Sequence, residues 1–243
     1  MLKHLKKIYL VTPILPSAWK WLKKYLQKDP LVGALYTKVF EAGKLSLHWI
    51  RPETLCSAAD SIVFPVQYPL NAGEDAPIAD MLFLLNLAKG RKAKRILEVG
   101  TYRARTTYAF HLNCPEAEIT SYDIQNLKSK YRDMLMLEPR VSLRLESFQE
   151  AEDKLKKEKP YDFVFIDGSH RLEDVLRDSL LAFQIVSNEG VIIWHDYRCN
   201  GYSTDLLRVP EGLARLSASY SIYGVEGTTC AVFEKKKPRS AVE

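Results

Sequence analysis

No CxxC pair occurs in this chain, whose four cysteines, Cys56, Cys114, Cys199 and Cys230, lie far apart. That spacing excludes a zinc ribbon, gives no disulfide framework, and suits a reducing, cytoplasmic compartment. No apolar run approaches the roughly eighteen residues that a bilayer-spanning helix needs. The opening MLKHLKKIYLVTPILP is basic and then briefly apolar, but Pro13 and Pro16 interrupt it and no small-residue cleavage site follows, unlike a secretory signal. The glycine triplet G-x-G-x-x-G and the phosphate loop G-x-x-x-x-G-K-[ST] are also missing. Their absence argues against a ligand gripped through a di- or triphosphate, and so against a nicotinamide oxidoreductase.

Charge of one sign is scarce outside the N-terminus. The net charge is +5, yet residues 1–50 alone hold nine lysines against Asp29 and Glu41, and the rest holds 26 basic and 28 acidic side chains. The body of the chain is close to neutral, so nucleic acid is not an expected partner. Within the basic part, residues 17–28 (SAWKWLKKYLQK) pattern as an amphipathic helix, with Trp19, Leu22, Tyr25 and Leu26 on one face and lysines on the other. A lid helix packing its apolar stripe on the domain is the favoured reading; peripheral contact with an anionic membrane is the other. Residues 29–74 read as irregular and proline-rich, which makes 1–74 an N-terminal extension or cap. A domain follows over 75–236, and 237–243 is a tail.

Inside that domain, strands and helices alternate. After Pro77 an apolar helix runs to Gly90, then Arg95-Ile-Leu-Glu-Val-Gly100 reads as a buried strand entering a glycine turn. A helix over 103–113 and strands at 119–123 and 141–145 come next. Ser147-Phe-Gln-Glu150 has capping-box spacing and is expected to open a charged helix ending at Pro160. Tyr161–Asp167 and Gly190–Trp194 are further strands, separated by a helix with Leu172, Val175, Leu176, Leu180 and Phe183 at helical spacing. Alternation of this kind predicts a parallel sheet with right-handed crossovers. Residues 220–225 and 228–234 then form two β-rich runs around a glycine turn, a hairpin that must contain an antiparallel strand. The expected fold is α/β: a doubly wound, mostly parallel seven-stranded sheet with a C-terminal antiparallel hairpin.

Open α/β sheets bind ligands beyond the carboxyl ends of their strands. Here those ends read Glu98-Val-Gly100-Thr101, Asp123, Glu146-Ser147-Phe148, Asp167-Gly168-Ser169-His170 and His195-Asp196-Tyr197. Gly100 lets the backbone pass close to a ligand, and the helix start after it suits a carboxylate. Asp123 closes the second strand, where a carboxylate can take both hydroxyls of a ribose. Ser147 also reads as a helix cap. Together these residues point to a nucleoside ligand that needs no phosphate.

The run ILEVGTYRARTT, the YDI at Asp123, DFVFIDGSHRLEDVLRD, GVIIWHDY and GTTCAVFEK resemble the class I S-adenosyl-L-methionine-dependent methyltransferases. Within them, the likeness is to the subgroup with IDGSH and HD at its fourth and fifth strand ends. It covers residues 78–236. The resemblance implies that Glu98, Gly100 and Thr101 line the methionine end of the cofactor, that Asp123 holds the ribose, that Ser147 and Phe148 border the adenine, and that Asp167 faces sulfonium and substrate. Where the family usually has glycine this chain has Ala104. Some related O-methyltransferases also use Mg²⁺ at these strand ends, which here would fall between Asp167 and Asp196.

Methyl transfer from a sulfonium needs an aligned, deprotonated nucleophile. The candidate catalytic groups are His195, Asp196, His170 and Asp167, with His195 preferred as base and Asp196 or Asp167 orienting it or binding a cation. Side chains alternate along a strand, so His195 and Asp196 face one site only if the strand ends between them. The expected acceptor is a hydroxyl on a small molecule or glycan; a homo-oligomer is compatible with the sequence. The rival readings are a non-catalytic nucleoside-binding module and the NAD-dependent oxidoreductase already disfavoured.

Overall fold

Strands that are apolar on both sides must be covered on both faces, and this sheet is. The computed structural model describes residues 47–55, 61–64, 76–198 and 208–235. The amphipathic stretch 17–28 and the tail therefore lie outside the described residues. Eight strands form one sheet: β1 His48–Ile50, β2 Arg95–Val99, β3 Glu118–Asp123, β4 Val141–Leu145, β5 Tyr161–Ile166, β6 Val186–Trp194, β7 Ile222–Val225 and β8 Ala231–Glu234. Their order is β1-β7-β8-β6-β5-β2-β3-β4. Only β8 is antiparallel to its neighbours, β6 and β7. The order reverses between β2 and β5, which places the topological switch point there.

The sheet has one strand more than the seven expected. β1 lies within the stretch read as irregular and pairs parallel with β7 through His48–Tyr223, Trp49–Gly224 and Ile50–Val225. Three residues give too short a pattern to stand out.

Six α-helices are described: α1 Ile78–Gly90, α2 Arg105–Asn113, α3 Lys130–Leu135, α4 Glu152–Leu155, α5 Leu172–Ile185 and α6 Arg208–Leu216. Alternation within β5 divides the core, for Phe163 and Phe165 pack with α1 and α2, whereas Val164 and Ile166 face α5 and α6. The expected helix over 147–160 shrinks to the four residues of α4. Its N-cap is Ala151, with no side-chain cap, so Ser147 is not a helix cap. Its hydroxyl bonds Gln149 Oε1 at 2.8 Å instead, in a turn running up to the helix.

Candidate active site

At the tip of β2 the chain turns through Gly100, whose φ is +101°. A Cβ there would collide with the Asp167 carbonyl, so the β2 and β5 turns abut backbone to backbone. Two residues on, Tyr102 and Ala104 adopt left-handed φ of 44° and 59°. Ala104 thus stands where glycine is least strained, which explains the family's preference at that position. Its buried methyl packs with Tyr131 and Leu135 in return.

Glu98 is not at the strand tip but beneath it, fully buried. One carboxyl oxygen accepts from the Ser121 hydroxyl at 2.5 Å and from the Thr107 hydroxyl; the other, Oε1, is buried with no hydrogen-bond partner. Burial pushes this carboxyl up to about 8, against the pull of those two hydroxyls. Thr101, also buried, shares the Ser121 hydroxyl at 2.6 Å. At the end of β3, Asp123 is half-buried and fixed by two backbone donors, Tyr102 N–H at 2.6 Å and Gln125 N–H at 2.7 Å.

Beyond β4, Phe148 departs from expectation. It is buried and packs its ring on Tyr122 at 5.8 Å between centroids, so it belongs to the core below the strand tips. The neighbouring Gln149 amide donates to Asp178 of α5, whose carboxyl burial raises to about 7. Neither residue was indicated by sequence patterning, since each reads as one polar position among many.

The β5 and β6 tips build the centre of the site. β6 ends at Trp194, and Asp196 turns back through a left-handed φ of 55°. The strand therefore ends before both His195 and Asp196, and the turn brings the two side chains to one place. His195 is buried, with Nε2 3.0 Å from Asp80 Oδ2 and Nδ1 3.3 Å from both Asp167 Oδ1 and Asp196 Oδ2. Those contacts outweigh desolvation and hold its protonation well above the ordinary histidine range. His195 is thus enclosed by three carboxylates and shut off from solvent, whereas the sequence made it the preferred base.

His170 is better placed for that role. Its Nε2 lies 2.8 Å from Asp196 Oδ2, and its side chain is 34% exposed, enough to meet a substrate. Desolvation works against its protonation, but the Asp196 contact wins and the net shift is upward. Asp196 is correspondingly held below the usual carboxylate range by its two imidazole partners, despite its burial.

Asp80 was missed by sequence reasoning. It is fully buried in the first turn of α1, where it accepts from Thr229 N–H at 2.9 Å, Thr229 hydroxyl at 2.5 Å and His195. The signal was there: Asp80 is the only acidic residue in a largely apolar helix. Nothing local, however, told a helix-start carboxylate from a buried one.

The switch point, the polar strand tips and the reversed β8 define a class: a doubly wound, mostly parallel α/β domain with titratable groups gathered at the carboxyl ends of its strands. Residues 83–197, just under half of the chain, match the family model described as a methyltransferase domain. No curated protein matches the chain in sequence. Solved structures share the fold. An O-methyltransferase from Bacillus cereus in complex with SAH is 18% identical, with a TM-score of 0.52 over 68% of this chain and 84% of its own. TomG from Streptomyces achromogenes, an O-methyltransferase involved in tomaymycin synthesis and solved with SAM, is 14% identical, with a TM-score of 0.51 over 66% and 81%. Cofactor-bound Rv0187 from MTB is 17% identical, with a TM-score of 0.53 over 93% and 99%. Among the described residues, no helix is long and apolar enough to cross a membrane.

Proposed function

We propose that this domain methylates a hydroxyl group on a small molecule or sugar, with His170 as general base. The observation that carries this reading is the His170–Asp196 pair at the tips of β5 and β6, partly exposed beside the switch point. The nearly neutral body of the chain favours an uncharged acceptor over a polyanion.

S-adenosylmethionine, when bound, supplies an activated methyl group on a sulfonium. Glu98 fits its methionine end, because the buried Oε1 has no partner in the ligand-free protein and a cationic ammonium group there would favour the ionised carboxyl and pair with it. Gly100 and Thr101 shape the turn above it. Asp123, oriented by two N–H groups, keeps lone pairs for a ribose diol, and Ser147 lies on the adenine side. Asp167 stands next to Gly100, toward the reacting centre.

For the transfer, His170 takes the hydroxyl proton of the acceptor as the oxygen lone pair bonds to the methyl carbon. Bound S-adenosylmethionine would supply the methyl carbon, its sulfur taking the leaving electron pair, while Asp196 stabilises the imidazolium left on His170. Such a base contributes roughly 10²- to 10⁴-fold. Calorimetry with S-adenosylmethionine and S-adenosylhomocysteine tests the reading. Binding should be measurable, and Asp123→Ala should weaken it at least tenfold; no heat from wild-type protein would end the assignment.

A further inference from the structure

β4 is the last strand of the sheet, and among the described residues it pairs with β3 alone. The Ile119 N–H donates to the Arg140 carbonyl at 2.8 Å, so Arg140, Ser142 and Arg144 turn their backbone groups toward β3. Alternation then turns those of Val141, Leu143 and Leu145 to the open side. The Val141 N–H is taken by the Glu138 carbonyl at 3.0 Å; the others form an edge that can template another strand. Apolar side chains border that edge. Met136 and Leu137, in the turn between α3 and β4, are 76% and 83% exposed, and Leu145 at the far end of the strand is 56% exposed.

We propose that a second copy of this chain docks on β4, edge to edge and antiparallel about a two-fold axis through Leu143, to make an isologous dimer. The inference concerns assembly and does not rest on the methyl-transfer reading.

The sequence of the edge selects both the partner and the register. An axis between two residues would set an outward-facing backbone against an inward-facing one, so the axis must pass through a residue. Through Leu143, it brings Val141 opposite the partner's Leu145, Ser142 opposite the partner's Arg144 and Arg140 opposite the partner's Glu146, each pairing occurring twice. One residue back, through Ser142, Arg140 would face Arg144 and Glu138 would face Glu146. One residue forward, Arg144 would face its own copy. Opposite charges across a sheet stabilise it and like charges destabilise it, so the Leu143 axis wins. Arg140 and Glu146 are both half-buried, and neither has an ion pair among the described residues. The same register sets Leu145 of one copy beside the turn that carries Met136 and Leu137 in the other, which adds apolar area to a short strand contact. Because the join is antiparallel, the parallel strands of the two copies point in opposite directions. The two candidate active sites then open at opposite edges of one continuous sheet.

Sedimentation velocity of the full chain decides this. The wild type should sediment as a dimer, and a monomer at every concentration up to that of a calorimetry cell would overturn the proposal. Arg140→Glu sets Glu against Glu, and Glu146→Arg sets Arg against Arg, so each variant alone should associate at least tenfold more weakly. Mixed in equal amounts, the two variants should form a heterodimer, because each edge then meets its charge complement. Both reversals in one chain should likewise restore the homodimer. A dimer unaffected by the single reversals, or a mixture that stays monomeric, would place the interface elsewhere and overturn the proposal. Should one reversal fail to fold by circular dichroism, the other reversal and the doubly reversed chain still carry the comparison.

Discussion

Asp196 is shared by two histidines with opposite prospects. His195 is closed in by three carboxylates and cut off from solvent; His170 touches only one and is partly exposed. The His170 shift is upward, so its basic form appears only above the ordinary histidine pKa of about 6.5. The rate of methyl transfer should therefore rise with pH through a midpoint above that value. His170→Gln should remove the rising limb and reduce kcat about 100-fold or more, with KM for the cofactor little changed. A wild-type profile flat from pH 6 to 9 would exclude His170 as base. At this scale the sequence displayed the right residue types at the strand ends but not their environments. His170 and His195 each follow a strand and an aspartate is near each; what separates them is burial and the contact with Asp80, 115 positions before His195, which no local pattern gives.

Among the elements, the longer strands were legible because continuous apolar runs such as YDFVFI end sharply at glycine or proline. α6 was not. Its sequence RVPEGLARL carries both residues that normally argue against a helix. Pro210 sits in the first turn, where its missing N–H costs nothing, and Gly212 lets α6 close on Val175 of α5, whose side chain a Cβ would strike. β1 escaped notice too, yet it bears on the site. The buried Tyr197 hydroxyl, one residue past Asp196, accepts from Leu47 N–H at 2.5 Å, and Trp49 packs on the Tyr197 ring at 5.7 Å. Tyr197→Phe would leave that buried N–H unpaired, which costs about 1–3 kcal/mol. The expected result is a lower denaturation midpoint at unchanged m-value, together with a fall in kcat as the Asp196 turn loosens. Unchanged stability would mean that the N-terminal strand is not anchored to the catalytic turn.

Across the whole molecule, buried ionisable groups set an unusual pH dependence. Glu98 and Asp178 are raised to about 8 and about 7, and His195 is raised as well. In all three the folded state holds a proton that the unfolded chain releases at lower pH. Stability then falls as pH rises between about 5 and 8. In the acid direction, Asp196, held low in the fold, withdraws its contribution as pH drops below the ordinary aspartate range. Ligand-free protein should show its highest Tm under mildly acidic conditions and lose several degrees by pH 8.5 in scanning calorimetry. A Tm that climbs steadily from pH 5 to 8.5 would show that these carboxyls are not buried in protonated form. Composition gave no hint of this, because a nearly balanced charge count says nothing about which few groups water cannot reach.

The reversal of β8 has a consequence for biosynthesis. Because that strand runs back from the ligand edge of the sheet, Thr229 enters the catalytic region almost 150 residues after Asp80, the partner it must secure. A ribosome delivers Asp80, Asp167, His170, His195 and Asp196 first, and the growing polypeptide carries an unsecured Asp80 until Thr229 has emerged. Competence is thus deferred until the terminal hairpin of the sheet has been made.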